Sequence, residues 1–325
     1  MKMFARSITA LALAGMLGHA AHAQGFPDRP VRVVVPFAAG NTLDTALRQL
    51  SEEFKKNTNQ TILIDNRPGG AGIIAAQNIM QSRPDGYSLL LSNTSMFGIN
   101  PHSFSKLPYD VDKSFRHVGA LLGTSQVLAV NSTVPSNNLK DFIAWVKSQP
   151  AGAVSYASFT AGNSSHFAGV ILNQRAGMQL THVPFNGTPP AVQNLVGGQV
   201  NAAFLPLLAV KPHVDAGRVR LLAVTSGQRT PLAPAMPSFK EEGFPDMEIY
   251  TWSGFSAPAG TPDEAVNRLN AEFNKGLQSN EIKTKWQAVD FIPMVFTPAE
   301  FAAFIRKDSE RWAEAVRISG FKASE

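Results

Sequence analysis

The sequence contains no cysteine, and this absence excludes several kinds of chemistry. Without a thiol, the chain has no disulfide, no thiolate nucleophile and no zinc site with cysteine ligands. It also lacks the cysteine that a lipid anchor at the N-terminus would need. Charged residues are sparse as well, at 16% of the chain. Because Lys and Arg form no cluster, the sequence argues against a nucleic-acid surface.

The first residues have the pattern of a secretory signal. Lys2 and Arg6 supply its positive region, residues 8–17 its short apolar segment, and Ala21-His22-Ala23 a small-x-small cleavage site. The apolar segment is too short for a membrane span, and no later segment has about 18 uninterrupted apolar residues. We therefore expect a protein that is released into the periplasm after cleavage behind Ala23 and has no stable membrane anchor.

Apolar, β-branched segments alternate with helical patterns, which is typical of an α/β fold with mostly parallel strands. We predict strands at residues 31–37, 61–65, 87–91, 128–130, 154–158, 182–185, 202–204, 220–225 and 249–257. We predict helices at residues 43–57, 72–81, 139–148, 165–176, 189–196 and 208–216. The length of the chain favours two domains.

Two capping-box motifs in the last third of the chain predict two more helices. Thr261-Pro262-Asp263-Glu264 and Thr297-Pro298-Ala299-Glu300 both have Pro at the expected first helical position. They predict helices at residues 262–278 and 298–318. No linker rich in Pro or Gly separates the two halves. We therefore expect the chain to pass between domains more than once, within structured segments.

The tetrapeptide Ala-Gly-Asn-[Thr/Ser] occurs twice, each time between a predicted strand and a predicted helix. The copies are Ala39-Gly40-Asn41-Thr42 and Ala161-Gly162-Asn163-Ser164. Such a loop directs backbone N–H groups, and the positive end of a helix dipole, towards an anion. Because neither copy contains Lys or Arg, we expect an anion to be held by amides, hydroxyls and water. The same pattern is also that of an ordinary turn with a good N-cap.

The sequence offers no positive support for catalysis or for a bound metal. The histidines that follow the signal lack a tight metal-binding spacing, and there is no Gly-x-Ser-x-Gly elbow or phosphate loop ending in Gly-Lys-[Ser/Thr]. His166 follows Ser164 and Ser165 closely, but adjacent residues on one helix do not face each other well. We therefore predict a protein that is not an enzyme and has no cofactor.

An ordered set of short motifs runs through the chain. The first is Pro36-Phe37-Ala38-Ala39-Gly40-Asn41-Thr42-Leu43-Asp44. Others are Asp65-Asn66-Arg67-Pro68-Gly69, Pro84-Asp85-Gly86-Tyr87, Lys106-Leu107-Pro108-Tyr109-Asp110, His182-Val183-Pro184-Phe185, Gly197-Gly198-Gln199-Val200 and Ala257-Pro258-Ala259-Gly260-Thr261-Pro262. Together they resemble the Bug-type extracytoplasmic solute receptors, the periplasmic binding components of tripartite tricarboxylate transporters. The first motif is similar to that family's Pro-Phe-x-x-Gly-Gly-x-x-Asp loop.

The resemblance implies a two-lobed periplasmic-binding-protein fold, type II-like, with mostly parallel sheets flanked by helices and the ligand in a cleft between the lobes. We place the first lobe at residues 24–123 and 226–325 and the second at residues 124–225. The resemblance also implies that both loops grip the carboxylate of a small organic acid, partly through water, and that the lobes close on it. We expect a monomer that delivers the acid to membrane permease subunits. The same cleft would equally suit a sensor subunit for a signalling partner.

We predict the ligand-binding residues from the two loops, from the end of one strand and from one departure from the family. They are Phe37, Ala38, Ala39, Gly40, Asn41, Thr42, Asp44, Asn93, Thr94, Ser158, Thr160, Asn163, Ser164, Ser165, His166 and Leu205. We expect Asp44 to tie its loop or cap its helix rather than to meet an anion. Asn93 and Thr94 follow a predicted strand, and the carboxyl ends of strands in open α/β sheets face the ligand. Thr124 and Ser125 lie at the expected first crossing between lobes.

Two departures from the family pattern affect specificity. Asn41 replaces the second glycine of the first loop, and asparagine still tolerates a left-handed conformation. Leu205-Pro206 stands where members often carry Asp-Asn. The loss of that acid predicts a ligand with no amino group at this position and with an apolar body, such as an aromatic or aliphatic acid. The alternative is a neutral change in the core of a lobe. The sequence likewise does not decide whether Trp252 and Phe255 lie in the core or line the pocket.

Overall fold

The computed structural model of the protein describes residues 25–323, so the predicted signal and its cleavage site lie outside the described residues. In chain order the strands are β1 (Val31–Val35), β2 (Ile62–Asn66), β3 (Ser88–Asn93), β4 (Phe115–Thr124), β5 (Val127–Asn131), β6 (Val154–Ser158), β7 (Leu180–Pro184), β8 (Ala202–Leu205), β9 (Val219–Val224), β10 (Thr251–Pro258) and β11 (Phe291–Pro293). The α-helices are α1 (Thr42–Thr58), α2 (Ile73–Met80), α3 (Asn100–Ser103), α4 (Leu139–Ser148), α5 (Ser164–Ala176), α6 (Thr188–Val196), α7 (Leu207–Asp215), α8 (Asp263–Leu277), α9 (Asn280–Gln287) and α10 (Pro298–Ser319).

The strands form two separate sheets. The first has six strands in the order β11-β4-β10-β3-β1-β2, and the second has five in the order β7-β6-β8-β5-β9. In the first sheet β1 pairs in parallel with β2 and β3, whereas β10 and β11 are antiparallel to their neighbours. In the second sheet β6 pairs in parallel with β7 and β8, whereas β5 is antiparallel to β8 and β9. Most strands in each sheet therefore share one direction, in the α/β fold that was predicted.

Of the strands that run against the rest of their sheets, β5 and β10 each follow a passage of the chain from one sheet to the other. β4 ends at Thr124, and after only Ser125 and Gln126 the chain enters β5 of the second sheet. It returns from β9 to β10, and the stretch between them stays with the second sheet: Val224 pairs with Ser238. Because each passage arrives at the edge where the other strands end, the strand that follows must run away from that edge.

The last helix joins the two halves of the molecule. Near its start, Phe301 and Ile305 of α10 pack into an apolar core on the first sheet. Further along, Trp312 packs into the core of the second sheet. Between these points the buried carboxylate of Asp308 accepts hydrogen bonds from the indole N–H of Trp252, at 2.6 Å, and of Trp312, at 2.8 Å. The helix therefore fixes one side of both sheets together.

The two capping-box predictions have different outcomes. At α10 the prediction is confirmed, because the Thr297 hydroxyl accepts from the Glu300 amide and the Glu300 carboxylate accepts from the Thr297 amide. At α8 the predicted helix is confirmed but the capping box is wrong, because the helix begins at Asp263 after Pro262 and has no side-chain cap. The Thr261 hydroxyl instead donates to the carbonyl of Pro258 at 2.8 Å, which closes the preceding turn. Among residues 25–323, no helix has the length and apolar content of a membrane span.

Candidate functional site

A cleft of about 1270 Å³ lies where strands of both sheets end. From the first sheet it is lined by Phe37, which follows β1, and by Asn93, the last residue of β3. From the second sheet it is lined by Phe159, which follows β6, and by Pro206, which follows β8. Because loops at the carboxyl ends of strands bind ligands in open α/β sheets, this cleft is the candidate site.

The first loop is held by its own side chains. The Asn41 side chain caps α1 by accepting from the amides of Leu43, at 2.8 Å, and Asp44, at 3.1 Å. Gly40 has a positive φ of 81° and donates its amide to the Asp44 carboxylate at 3.0 Å. Asn66 at the end of β2 donates to the same carboxylate and to the carbonyl of Phe37. Hydrogen bonds therefore tie the loop between β1 and α1 to its own helix and to β2.

The second loop repeats this construction with different side chains. Asn163 caps α5 by accepting from the amides of Ser165, at 3.0 Å, and His166, at 3.2 Å. Gly162 has a positive φ of 72° and donates its amide to Nδ1 of His166, four residues on, at 3.2 Å. In both loops the asparagine thus occupies the amides of the second and third helical residues. An anion would meet the remaining amides and the hydroxyls around them.

Asp44 ties the first loop, as predicted. Its carboxylate is 1% exposed and accepts from Gly40, Asn66 and Arg48, the last through Nε at 2.9 Å. Burial alone would raise the pKa of Asp44, but the hydrogen bonds from Arg48, the Gly40 amide and Asn66 hold it below its ordinary value. An ionised carboxylate has no hydrogen to donate, and that of Asp44 already accepts from Gly40, Asn66 and Arg48, so it gives an incoming anion nothing to bind.

Asp44→Asn is expected to lower the free energy of unfolding by about 2 kcal/mol, because an amide N–H would face buried donors that now bind a carboxylate oxygen. Urea unfolding measures the change. Asp141→Asn is the matched control, since Asp141 holds the same third position of α4 behind the cap Asn138, but in an exposed pair. The control should change stability by less than about 0.5 kcal/mol. Equal losses in the two variants would contradict the role given to Asp44.

A stacked pair of histidines packs against the second loop. The rings of His166 and His182 are 3.8 Å apart and inclined by 12°. Nε2 of His182 lies 2.7 Å from the Ser158 hydroxyl, and the Tyr156 hydroxyl donates to the carbonyl of His166. Burial, together with repulsion from His182, lowers the pKa of His166 to about 3, and burial lowers the pKa of His182 to about 4. Both rings are therefore neutral at pH 7, and Nδ1 of His166 can accept the Gly162 amide.

The structure places the predicted residues in three groups. Those that line the cleft are Phe37, Gly40, Asn93, Thr160, Asn163 and Ser164. Those that are buried behind the lining are Asp44, Thr94, Ser158, Ser165, His166 and Leu205. In the first loop, Ala38 and Ala39 are exposed, Asn41 is half-buried and Thr42 is the first residue of α1. The sequence left Trp252 and Phe255 undecided between core and pocket. Phe255 is in the core, whereas Trp252 lines the cleft although it is otherwise buried.

Leu205 differs from its predicted position. Its side chain is fully buried in an apolar core with Val127 and Val224, so it offers no surface to a ligand. β8 is buried on both faces, and its last side chain turns into the core rather than towards the cleft. The apolar surface that was expected there comes instead from residues that follow it, among them Leu208, which is 42% exposed and lines the cleft.

Several residues of the cleft were not singled out from the sequence. Thr251 begins β10, and Phe321 follows α10, so each reaches the cleft from a distant part of the chain. Asp290 lines the cleft as well, and its carboxylate accepts from Thr230 at 2.6 Å and from Ser125 at 3.3 Å. Burial raises the pKa of Asp290. No local motif marks these residues, because tertiary packing alone brings them together.

Charged residues are few in the part of the lining that the structure describes. Lys285 is paired with Glu281 at 2.7 Å, and Lys322 and Asp290 are the others. Hydroxyl and amide groups are more numerous: Asn93, Thr124, Thr160, Ser164 and Thr251 all reach the cleft. Among residues 25–323, His, Asp and Glu side chains form no group of three that could hold a metal ion. The cleft therefore offers more neutral hydroxyl and amide groups than charged ones.

Periplasmic binding proteins have this architecture of two α/β sheets with a cleft at their carboxyl ends, and solved structures of that class superpose on this chain. Among solved structures, Rpa4515 of R. palustris with adipate is 28% identical, covers 91% of this chain and 99% of its own, and superposes with a TM-score of 0.76. MatC of Rhodopseudomonas palustris with bound malate is 31% identical, covers 90% of this chain and 100% of its own, and has a TM-score of 0.71.

Sequence comparison identifies the family within that class. Residues 46–321 match the profile described as "Tripartite tricarboxylate transporter family receptor". Protein BugT of Bordetella pertussis is 31% identical over 301 residues, which are 92% of this chain and 92% of that protein. The chain therefore belongs to the receptor family of the tripartite tricarboxylate transporters, and the resemblance and the fold predicted from the sequence are confirmed.

Proposed function

We propose that this protein captures a small organic acid in the cleft and delivers it to the permease subunits of a tripartite tricarboxylate-type transporter. One observation carries the proposal: two loops of identical construction, each with a glycine and an asparagine cap, stand at the cleft on opposite sheets. The relatives solved with adipate and with malate support a carboxylate as the ligand. The family description supports transport rather than sensing.

The carboxylate is held by neutral donors. Transfer of a bare carboxylate out of water is costly, so several N–H and O–H groups must converge on it. Ser164 and Asn93 line the cleft and can supply a hydroxyl and a side-chain amide, whereas the Thr160 hydroxyl, also at the cleft, donates to the carbonyl of Phe159. The other predicted residues of the loops act through the backbone or by holding it: Ala38, Ala39, Asn41, Thr42, Asp44, Ser158, Ser165 and His166. Ordered water completes the contacts, as the resemblance implies.

The body of the ligand is apolar. Phe37, Phe159, Leu208 and Val289 line the cleft from both sheets. Leu208 and Val289 are 42% and 38% exposed, and large apolar side chains of this kind lose contact with water when a ligand covers them. We therefore favour aliphatic or aromatic acids.

The lobes close around the acid by a hinge. We propose that each sheet is the centre of one lobe, near the predicted boundaries of 24–123 and 226–325 for the first and 124–225 for the second. The packing of Phe239 and Ile249 against the core of the second sheet supports a return passage at Tyr250 rather than at residue 226.

The permease would recognise the closed form by its surface, since a ligand shifts the equilibrium towards the state that it binds better. We propose that the receptor acts as a periplasmic monomer, released by cleavage after Ala23, and catalyses no reaction.

A thermal-shift screen of the mature protein tests this function. The panel pairs organic acids, among them adipate and malate, with their amides. An acid at one hundred times its dissociation constant should add about 2.7 kcal/mol to the free energy of unfolding, and its amide should add little. The screen is repeated on protein that has been unfolded, dialysed and refolded, which removes acid retained from expression. If no acid stabilises the refolded protein, the proposed function is wrong.

A further inference from the structure

Asp290 places a carboxylate in the lining of the cleft, next to the first passage between the sheets. It lies between α9 and β11, and the first residue of β11, Phe291, pairs with Thr124 at the end of β4. Its Oδ2 accepts from the Ser125 hydroxyl at 3.3 Å, and its Oδ1 accepts from the Thr230 hydroxyl at 2.6 Å. Ser125 also lines the cleft. Oδ2 is therefore the carboxylate oxygen on the side of the cleft.

The two hydroxyl bonds leave acceptor sites of the Asp290 carboxylate unused. An ionised carboxylate has about four lone-pair sites and no hydrogen, so both hydroxyls must be the donors in these bonds. Each oxygen therefore has one site filled, and the bond to Oδ2 is the longer of the two. Oδ2 retains an acceptor site for a donor group that enters the cleft.

No cation balances the charge of Asp290 in the part of the chain that the structure describes. Burial raises the pKa of Asp290, and only the bonds from Thr230 and Ser125 oppose that rise. Lys285, which also lines the cleft, is paired with Glu281. A partly buried carboxylate is costly without a partner. A donor or cationic group of the ligand would supply that partner.

Helix α9 brings Asp290 close to the first loop. It runs antiparallel to α1, because Lys56 near the end of α1 pairs with Glu281 near the start of α9. Further along, the indole N–H of Trp286 donates to Gln49 at 2.6 Å. The chain then continues towards the start of α1, where the first loop stands. Packed helices lie about 8–10 Å apart, a distance that an extended acid of about six carbons can span.

We infer that Asp290 is a specificity-determining residue that binds a hydrogen-bond donor, an ammonium or hydroxyl group, at the end of the ligand remote from its carboxylate. A second carboxylate in that place would meet a like charge and be repelled. A methyl group would leave only an acceptor site unfilled, which costs less than repulsion. The inference rests on the proposed function and narrows the acids to those with an apolar chain and a terminal donor.

A series of acids with one chain length and four terminal groups measures this preference. Hexanoate, 6-hydroxyhexanoate, 6-aminohexanoate and adipate form one series, and the corresponding four-carbon and eight-carbon acids cover other distances. Titration calorimetry at pH 7 gives each affinity. In the series of fitting length, we expect the amino acid or the hydroxy acid to bind at least tenfold more tightly than the diacid. The inference is wrong if the diacid binds as tightly at every length, or if the protein binds other acids but no amino or hydroxy acid.

Asp290→Asn removes the charge and keeps the shape of the side chain. Asparagine tolerates the left-handed backbone at this position, where φ is 58°, so the variant should fold. We expect the preference for 6-aminohexanoate over adipate to fall at least tenfold. Asp215→Asn is the matched control, because it changes the net charge equally in an exposed pair with Lys211. The control should change the preference less than twofold.

Asp290→Gly separates recognition of the ligand from a merely structural role. Glycine adopts a positive φ readily, and it removes the acceptor as well as the charge. The preference for a terminal hydroxyl over a methyl group should then be lost. If Asp290 only held Ser125 and Thr230, all affinities would fall together and their ratios would stay unchanged.

The failure of this inference can be distinguished from the failure of the proposed function. Melting of each unliganded variant checks that it folds. Wild-type ratios in both Asp290 variants would overturn the inference while leaving acid binding intact. If the wild-type protein binds no acid in the thermal-shift screen, the proposed function fails and this inference fails with it.

Discussion

Gly162→Ala is expected to lower the free energy of unfolding by about 3 kcal/mol. A Cβ at this position would lie 2.4 Å from the Cε1 and Cζ atoms of Phe321, closer than real Cβ contacts allow. The φ of Gly162 is 72°, in the left-handed region that a side chain destabilises by about 1–2 kcal/mol. Overpacking against a ring adds about 1–3 kcal/mol.

The substitution should also weaken binding of the acid. The Phe321 ring stands edge-on to His166, at 5.6 Å between centroids, and to Phe167, at 5.9 Å. Two residues later, the amide of Ala323 donates to the carbonyl of Ser103 on the other side of the cleft. A displaced ring would therefore shift the second loop and the end of the chain together. Urea unfolding and calorimetry with the acid found in the screen measure the two effects.

Gly40→Ala is the matched control in the first loop. Its φ of 81° carries a similar backbone cost, but no heavy atom lies within 4 Å of the added Cβ. It should lower stability by about 1 kcal/mol. Phe321→Ala in the Gly162→Ala background should recover part of the loss, because it removes the clash. If the two glycine variants lose equal stability, Phe321 does not shape the second loop.

The regular framework of the fold follows from local sequence patterns. Every predicted strand and helix overlaps an observed one, because long periodic segments and favourable cap residues indicate their structure from local sequence alone. The strands β4 and β11 and the helices α3 and α9 were missed. β4 contains Gly119 and Gly123, which weaken a strand pattern. Gly119 is needed there because a Cβ would lie 2.6 Å from the Asn270 amide, a contact that no local pattern reveals.

The candidate site was predictable as far as its two loops. The repeated tetrapeptide pointed to Gly40 and Gly162, but the partners of their amides come from geometry that the sequence does not state. Leu205 shows a different limit. In a strand buried on both faces, alternation gives no indication of which side chains face a ligand. Gln126 and Thr251 became neighbours only through the two passages between the sheets.

Stability is expected to fall by about 3 kcal/mol or more as the pH is lowered from 6.5 to 4.5. The pKa values of His166, about 3, and His182, about 4, lie below the ordinary 6.5 for histidine. In this range the unfolded chain binds protons that the folded protein does not bind, so acid favours unfolding. Burial also lowers the pKa of His117 to about 4, and that residue adds to the same loss. Urea unfolding at several pH values measures the slope.

The contribution of the histidine pair to the pH dependence can be measured with variants that form similar hydrogen bonds but do not titrate. Asn at position 166 offers an amide oxygen to the Gly162 amide, and Gln at position 182 offers its amide to Ser158. The double variant His166→Asn and His182→Gln should flatten the slope between pH 6.5 and 4.5 by more than half.

The pH window identifies which groups carry the loss. Asp44 also destabilises the folded state when it is protonated, but its lowered pKa means that this loss begins only near and below the ordinary value of 3.8. A loss that begins near pH 6.5 therefore belongs to the histidines. If the double variant keeps the wild-type slope in that window, the stacked pair is not the acid-sensitive support of the second loop. In that case, ligand affinity measured between pH 6.5 and 4.5 should also be independent of His166.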